Sequence, residues 1–470
     1  MKSNPPIRNR PTSSSTTDGG AFIESTMSTE LVVAFCNSKS GGHQGPRVIS
    51  GLQQHLGPEG VFDLSKQAPE TTIHELCHGE HRKEGAGTKL APEEFVRLLR
   101  IIVCGGDGTC GWVFTGIDRA CEQDAEVRKV RDRICICTMP LGTGNDLSRS
   151  LGWGKGFSNA MLRAKWIQRV RRASIAQLDR WQISISPTSG EVSTEIPPAF
   201  SVVQHDLPAE GTAIHRESTV LERGRTFSIS MDVSKSRWSE DEVSYEAIFT
   251  NYFSFGLDAD IAHEFHRTRE EHPEWFSSQL KNKAMYGRYG MLAGGACPCV
   301  RSPPPVLNAS MPMFLCRKPG EQDWQQVQLP RGTRAVIVLN LQSYAGGQNL
   351  WGGCDKSIGF GDGLLEVVAV RSIWDMARAI VMSKLGGGAV RVGKVAELKI
   401  GLTNEVTMQI DGEPWRQPES SVHIRPFSVA KVLRASSRSG CCGGRADSAD
   451  AVLSREQEQQ EDTIPNLTSI

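Results

Sequence analysis

Short apolar runs separated by polar, glycine-bearing loops set the pattern of the first half of the chain. Leu31-Val32-Val33-Ala34-Phe35 reads as a buried strand, short and rich in β-branched residues. A polar loop from Asn37 to Gly45 follows, and Pro46 suits the first turn of a helix running through Leu52 to Leu56. Val61 to Leu64 is a short strand. Pro92 opens a further predicted helix with Phe95, Leu98 and Leu99 on one face. Ile101 to Cys104 is the next strand, followed by a helix over Gly111–Cys121 and a strand over Ile134–Thr138. Such alternation predicts a parallel sheet covered by helices. Ligands of such sheets bind at the carboxyl ends of the strands, where the loops beginning near Asn37, Gly105 and Pro140 lie.

From Ile175 the pattern becomes strand after strand: 181–185, 227–231, 252–255, 335–339 and 365–370. One helix interrupts them, over Asp258–Arg269, and residues 187–225 read as an insertion or long loop. The fold class predicted is a three-layer α/β nucleotide-binding domain followed by a β-rich, sandwich-like second domain. The expected division is a disordered segment 1–29, the α/β domain 30–172, the β-rich domain 173–432 and a disordered tail 433–470.

Charge narrows the partners. Lys+Arg and Asp+Glu both number 53, so nothing in the balance argues for nucleic acid. No apolar run approaches the roughly 20 residues that cross a bilayer, and the expectation is a soluble or peripherally attached chain. Thirteen cysteines scattered through apolar segments read as reduced thiols rather than a disulfide framework. His74, Cys77, His78 and His81 carry metal-ligand types at helical spacings, in what reads as a polar loop where the cluster is incidental. Cys297 and Cys299 lack the second pair of a zinc ribbon.

Two loops carry the chemistry. In Gly105-Gly106-Asp107-Gly108-Thr109 the glycines let a ligand approach the backbone amides, and Asp107 can meet a cation or accept a proton. In Gly142-Thr143-Gly144-Asn145-Asp146 amides and a hydroxyl can face an anion, while Asn145 and Asp146 also suit the cap of a following helix. Gly388 to Lys394 fits a Walker spacing, but Val395 stands where a hydroxyl is required. The protein-kinase motifs are absent. Farther on, Asp362 either binds a metal or starts a turn, and Asp411-Gly412 suits a type I′ hairpin. Glu413, before Pro414 and Trp415, is a candidate desolvated base. His263 and His266 read as solvent-facing; Trp275 and Phe276, with Lys281 and Lys283 behind them, read as a membrane interface or as ordinary burial.

The ordered set resembles the diacylglycerol kinase family of the eukaryotic type, from about Leu31 to Gln417. Its parts are Ser38-Lys39-Ser40-Gly41-Gly42, Cys104 to Thr109, Pro140 to Leu147, Leu178 to Trp181, Asn251 to Ser254, Glu264 to Arg267, Leu280 to Lys283, Asp362 to Val368 and Ile410 to Trp415. The resemblance implies ATP-dependent phosphorylation of the free hydroxyl of diacylglycerol, with Mg2+, in transient contact with the cytosolic face of a membrane. It implies that Asn37, Ser40, Gly41, Gly105, Gly106, Asp107, Gly108, Thr109, Gly142, Thr143, Asn145 and Asp146 hold the nucleotide. It further implies metal at Asp107 and Asp362, with Asp107 and Glu413 as the catalytic pair. Neighbouring alternatives are a sphingoid-base or ceramide kinase, and a catalytically silent lipid-binding scaffold. The family's Asn-Pro is Asn37-Ser38 here, and cysteine-rich zinc modules and EF-hand loops are absent. Cys441-Cys442 is a candidate for lipidation, and Thr468-Ser469-Ile470 for capture at a sheet edge.

Overall fold

The computed structural model describes residues 29–40, 44–79, 96–188, 195–204, 215–222, 225–232, 243–276, 285, 305–352, 360–381 and 389–435. Gly41, His81, Pro92, Phe95, Lys281, Lys283, Cys297, Cys299, Gly388, Cys441, Cys442 and the Thr468–Ile470 tripeptide lie outside them.

Strands β1 (Thr29–Cys36), β2 (Val61–Asp63), β3 (Val96–Gly105) and β4 (Ile134–Pro140) pair in the parallel order β2-β1-β3-β4. Their residues are almost wholly buried because helices Gly45–Leu56, Pro69–Cys77 and Asp107–Gln123 join the same core. The chain leaves β1 toward β2 on one side, and β3 lies on the other. That reversal of strand order opens a crevice at the carboxyl ends of β1 and β3.

The rest of the chain is β-rich. It comprises β5 (Ser174–Pro187), β6 (Ser201–Gln204), β7 (His215–Glu222), β8 (Arg225–Asp232), β9 (Val243–Phe249) and β10 (Tyr252–Gly256). After helix Leu257–Glu271 come β11 (Met313–Arg317), β12 (Gln325–Gln326), β13 (Ala335–Leu339) and β14 (Leu365–Val370). Helix Ile373–Val381 precedes β15 (Val390–Val395), β16 (Glu397–Leu402), β17 (Val406–Ile410), β18 (Glu413–Gln417) and β19 (Ser420–Arg434). An antiparallel sheet runs β15-β14-β13-β10-β17-β18. The other sheet extends the parallel one: β19 lies between β4 and β5, with β9, β6, β7 and β8 beyond. Trp181 and Tyr245 from this extension pack with Phe253, Val338 and Trp415 from the six-stranded sheet, a sandwich core. Its other face carries Ile337, Val368 and Val370 against Leu257, Ile261 and Met376 of the two helices.

Several expectations change. Leu98 and Leu99 belong to β3, not to a helix from Pro92. Pairing with β1 on one side and β4 on the other overrides their helical spacing. The helix expected at Gly111 begins at Asp107, so the aspartate opens a helix instead of sitting in a free loop. Within 187–225 the chain forms β6 and β7, which continue the sheet where a loop was expected. Residues 433 and 434, assigned to the tail, complete β19. His263 and His266 are half-buried rather than solvent-facing, and burial lowers His266 to about 4. Trp275 is 45% exposed and stacks on His272 at 4.1 Å, so ordinary burial does not describe it.

Candidate active site

Three strand ends bring the polar loops together. The Asn37 amide donates to Cys104 O across the crevice at 3.1 Å, and its Nδ2 donates to Thr109 Oγ1 at 3.2 Å. Asn37 Oδ1 accepts from Lys39 N at 3.1 Å and its carbonyl from Ser40 N at 3.0 Å, which fixes the first loop's turn. A Cβ on Gly105 would lie 2.4 Å from the Thr109 side chain. A Cβ on Gly142 would lie 2.7 Å from Gly106 Cα, so the second and third loops touch backbone to backbone. Only glycine permits that approach. Gly108 and Thr143 remain exposed, and nothing lies within 4 Å of the place a Gly108 Cβ would take.

Asp107 joins these two loops chemically. Its carboxylate accepts Asp146 N at 2.9 Å and Leu147 N at 3.1 Å, capping helix Asp146–Ser150 from another segment. Asn145 therefore does not cap that helix with its side chain. With φ at 54° it turns back, taking the Gly142 amide on Oδ1 at 3.0 Å and giving Nδ2 to Gly142 O and Lys155 O. Burial, then the neighbouring charge of Asp146, pushes Asp107 up to about 7 against the pull of the two amides. Asp411 adds to the push.

The β-rich half contributes through Asp411 and Glu413, and through Ser343, Gly346 and Gly347, which hold Asp146. The buried carboxylate of Asp146 accepts Ser343 Oγ at 2.6 Å, Gly346 N at 2.9 Å and Gly347 N at 3.0 Å. Asp411 and Gly412 both have positive φ, as a type I′ turn between β17 and β18 requires. The Asp411 carboxylate then accepts Thr250 N at 3.0 Å, Asn251 N at 2.9 Å and Tyr252 N at 3.0 Å, bracing the β9–β10 connection. Burial raises its pKa despite those donors. Glu413 stands beside it. Glu413 is exposed at the start of β18, yet partial desolvation and then the Asp411 charge raise its pKa, while Arg269 opposes them. Among the described residues no hydrogen bond or ion pair holds the Glu413 side chain.

Asp107, Asp146, Asp411 and Glu413 thus form one electrostatically linked series drawn from both halves of the chain. The donors are oxygen only, the chemistry Mg2+ prefers when one or two carboxylates hold it together with phosphate oxygens. Asp362 is not joined to this series. It accepts Leu364 N at 3.1 Å and lies 3.9 Å from Lys394 Nζ, which also reaches Glu366 at 3.2 Å. A lysine ammonium already answers the charge there.

Some contributors were not foreseen. Ser343 and the Gly346-Gly347 amides anchor Asp146, and paired glycines just beyond β13 were the available signal. Asp258, at the start of helix Leu257–Glu271, accepts Ser254 Oγ, Tyr344 Oη and Gln409 Nε2 and is raised to about 6 by burial. No local pattern marks it.

Comparison with known proteins agrees with this geometry. A family profile described as the diacylglycerol kinase catalytic domain matches residues 31–178, and one described as the accessory domain matches 248–414. Diacylglycerol kinase 1 of Oryza sativa subsp. japonica is 30% identical over 92% of this chain and 86% of its own length. Diacylglycerol kinase 7 of Arabidopsis thaliana is 32% identical over 88% of this chain and 81% of its own length. A crystal structure of a diacylglycerol kinase from Bacillus anthracis str. Sterne superposes with a TM-score of 0.43 at 16% identity, covering 86% of this chain and 97% of its own. With both domain profiles in order along one chain, and relatives matched over most of their length, the chain belongs to the diacylglycerol kinase family.

Proposed function

We propose that this chain transfers the γ-phosphoryl group of ATP to the free hydroxyl of diacylglycerol, giving phosphatidic acid. The observation that carries the reading is the matched pair of catalytic and accessory profiles, whose segments meet in the crevice at Asp107, Asp146, Asp411 and Glu413. The three loops supply the nucleotide end: Asn37, Ser40 and Gly41, the 105–109 turn and the 142–146 turn. Phosphates lie against the amides at the start of helix Asp107–Gln123, where the helix dipole favours negative charge. Exposed Gly108 and Thr143 leave backbone and hydroxyl open to them.

Asp107 would hold Mg2+ near those phosphates, where a bound cation would neutralise charge developing on the transferred group. A cation at Asp362 would compete with Lys394. Glu413 accepts the proton of the attacking hydroxyl. The new bond runs from that oxygen to the γ-phosphorus, the bond to the β-phosphate oxygen breaks, and ADP leaves. A base whose pKa is raised above the ordinary glutamate range suits this task.

The lipid is met at a membrane surface. Among the described residues no helix is long and apolar enough to cross a bilayer. Trp374 is 66% exposed at the start of helix Ile373–Val381, and Trp275 adds a second exposed indole, both suited to the headgroup region. A panel of diacylglycerol, ceramide and sphingosine in mixed micelles with labelled ATP and Mg2+ tests the function. Phosphatidic acid as the main product is expected. Labelled ceramide or sphingoid phosphate would transfer the chain to those kinases, and no labelled lipid at all would leave a silent scaffold.

A further inference from the structure

On the helical flank away from the crevice, His74, His78 and Asp124 point their ligand atoms at one another. His74 and His78 are one turn apart, on helix Pro69–Cys77 and at its cap. Asp124 follows helix Asp107–Gln123. Asp124 Oδ2 lies 3.2 Å from His74 Nε2 and 2.7 Å from His78 Nε2, and all three ligand atoms fall within 4.8 Å of one another. The rings sit 4.6 Å apart, tilted by 41°.

We propose that His74 Nε2, His78 Nε2 and Asp124 Oδ2 form a zinc site, with water completing the tetrahedron. Two imidazoles and one carboxylate are borderline ligands that suit Zn2+. Bonds of about 2.0–2.2 Å place tetrahedral ligand pairs about 3.3 Å apart, close to the His74–Asp124 separation of 3.2 Å and wider than the His78–Asp124 separation of 2.7 Å. The carboxylate is prepared for the role. The His78 hydrogen bond and the amides of Glu126 and Val127 hold the Asp124 carboxylate in place. Those amides donate to Oδ1, which fixes the carboxylate and leaves Oδ2 facing the imidazoles. Cys77, fully buried in the apolar core, is not part of the cluster. His74 is 44% exposed, which gives the metal a route in.

The site is structural. Gly116 lets helix Asp107–Gln123 approach Pro69, since a Cβ there would lie 2.5 Å from the proline ring. The metal would clamp the two helices at the far end, about 25 Å along the helix from Asp107 at 1.5 Å per residue. Its signature is accordingly metal content and stability, not turnover.

The test uses the full chain, freed of any affinity tag and stripped with chelator, titrated with Co2+ and then displaced by Zn2+. One equivalent per chain is expected, with visible d–d bands and no thiolate-to-cobalt band. His74→Gln, His78→Gln and Asp124→Asn should each weaken binding by more than about tenfold, as loss of one ligand predicts. Asp124→Asn keeps an oxygen for the two capping amides, and circular dichroism confirms that each variant is folded. His55→Gln, outside the cluster, should bind as the parent does. Absence of a bound equivalent, a thiolate band, or unweakened binding by folded His78→Gln overturns the site and leaves a hydrogen-bonded cluster.

Discussion

The two walls of the crevice use the same chemical group in opposite ways. On the glycine-loop wall, Asp107 and Asp146 have their carboxylates committed to backbone amides, one pinning loop to loop and the other pinning the loop to Ser343, Gly346 and Gly347. On the hairpin wall Asp411 is committed in the same way, but Glu413, two residues on, is held by no hydrogen bond among the described residues. Carboxylates that organise backbone resist removal because the amides they satisfy would be left bare in a buried place. A carboxylate without such duties can lose or gain a proton at little structural cost. The contrast sets three carboxylates apart as braces and leaves Glu413 for the proposed base.

Asp107→Ala should break it most severely. Turnover should fall by about 10³-fold or more, and urea denaturation should show a loss of about 1–3 kcal/mol as the two helix amides lose their acceptor. Turnover within tenfold of the parent would remove Asp107 from the site. Glu413→Gln should cost about 10²–10³-fold in kcat, the usual worth of a positioned base, with stability unchanged to within about 0.5 kcal/mol. A large melting shift instead would make Glu413 a brace like its neighbours. Asp146→Ala should do the converse: about 2–4 kcal/mol less stable, with less than tenfold change in kcat at saturating ATP. If its stability held while ATP binding collapsed, Asp146 would be a ligand and not a brace.

The smallest effect is in pH. Asp107 at about 7 and Asp258 at about 6 both lie above their unfolded value of 3.8, so the folded state holds their protons more tightly. Their contribution is fully present below about pH 4, declines as pH rises from there, and is lost once pH has passed about 6 and 7. The melting temperature of nucleotide-free protein should therefore drop by a few degrees between pH 5 and 7.5. Mg2+ with ATP should narrow the drop, and Asp107→Asn should lessen it.

Much of the glycine-loop wall was legible in the sequence. The runs at Leu31, Ile101 and Ile134 are continuous apolar strands of a sheet buried on both faces, and the glycines at 105, 106 and 142 mark the turns that end two of them. What could not be read locally is who meets whom. Asp146 reads as a cap residue, yet its partners lie about 200 positions away. Asp107 reads as a ligand, yet its first task is to cap a helix that begins 39 residues later. Leu98 and Leu99 carry a helical spacing that two neighbouring strands overrule. The hairpin at Asp411 was visible as Asp-Gly, but its grip on Thr250, Asn251 and Tyr252 depends on β10 pairing with β17.

The placement of β19 governs how the protein must be made. It lies between β4 and β5, pairing Lys431 and Val432 with Cys135 and Ile136. Until residues 420–434 have left the ribosome, β4 presents a bare edge of backbone donors and acceptors, close in sequence to the glycine turns. Such an edge is an invitation to aggregate. The closing contact spans almost 300 residues, a search that slows folding. Expressed alone, a fragment ending before Ser420 should therefore need a chaperone to stay in solution, however complete its nucleotide loops.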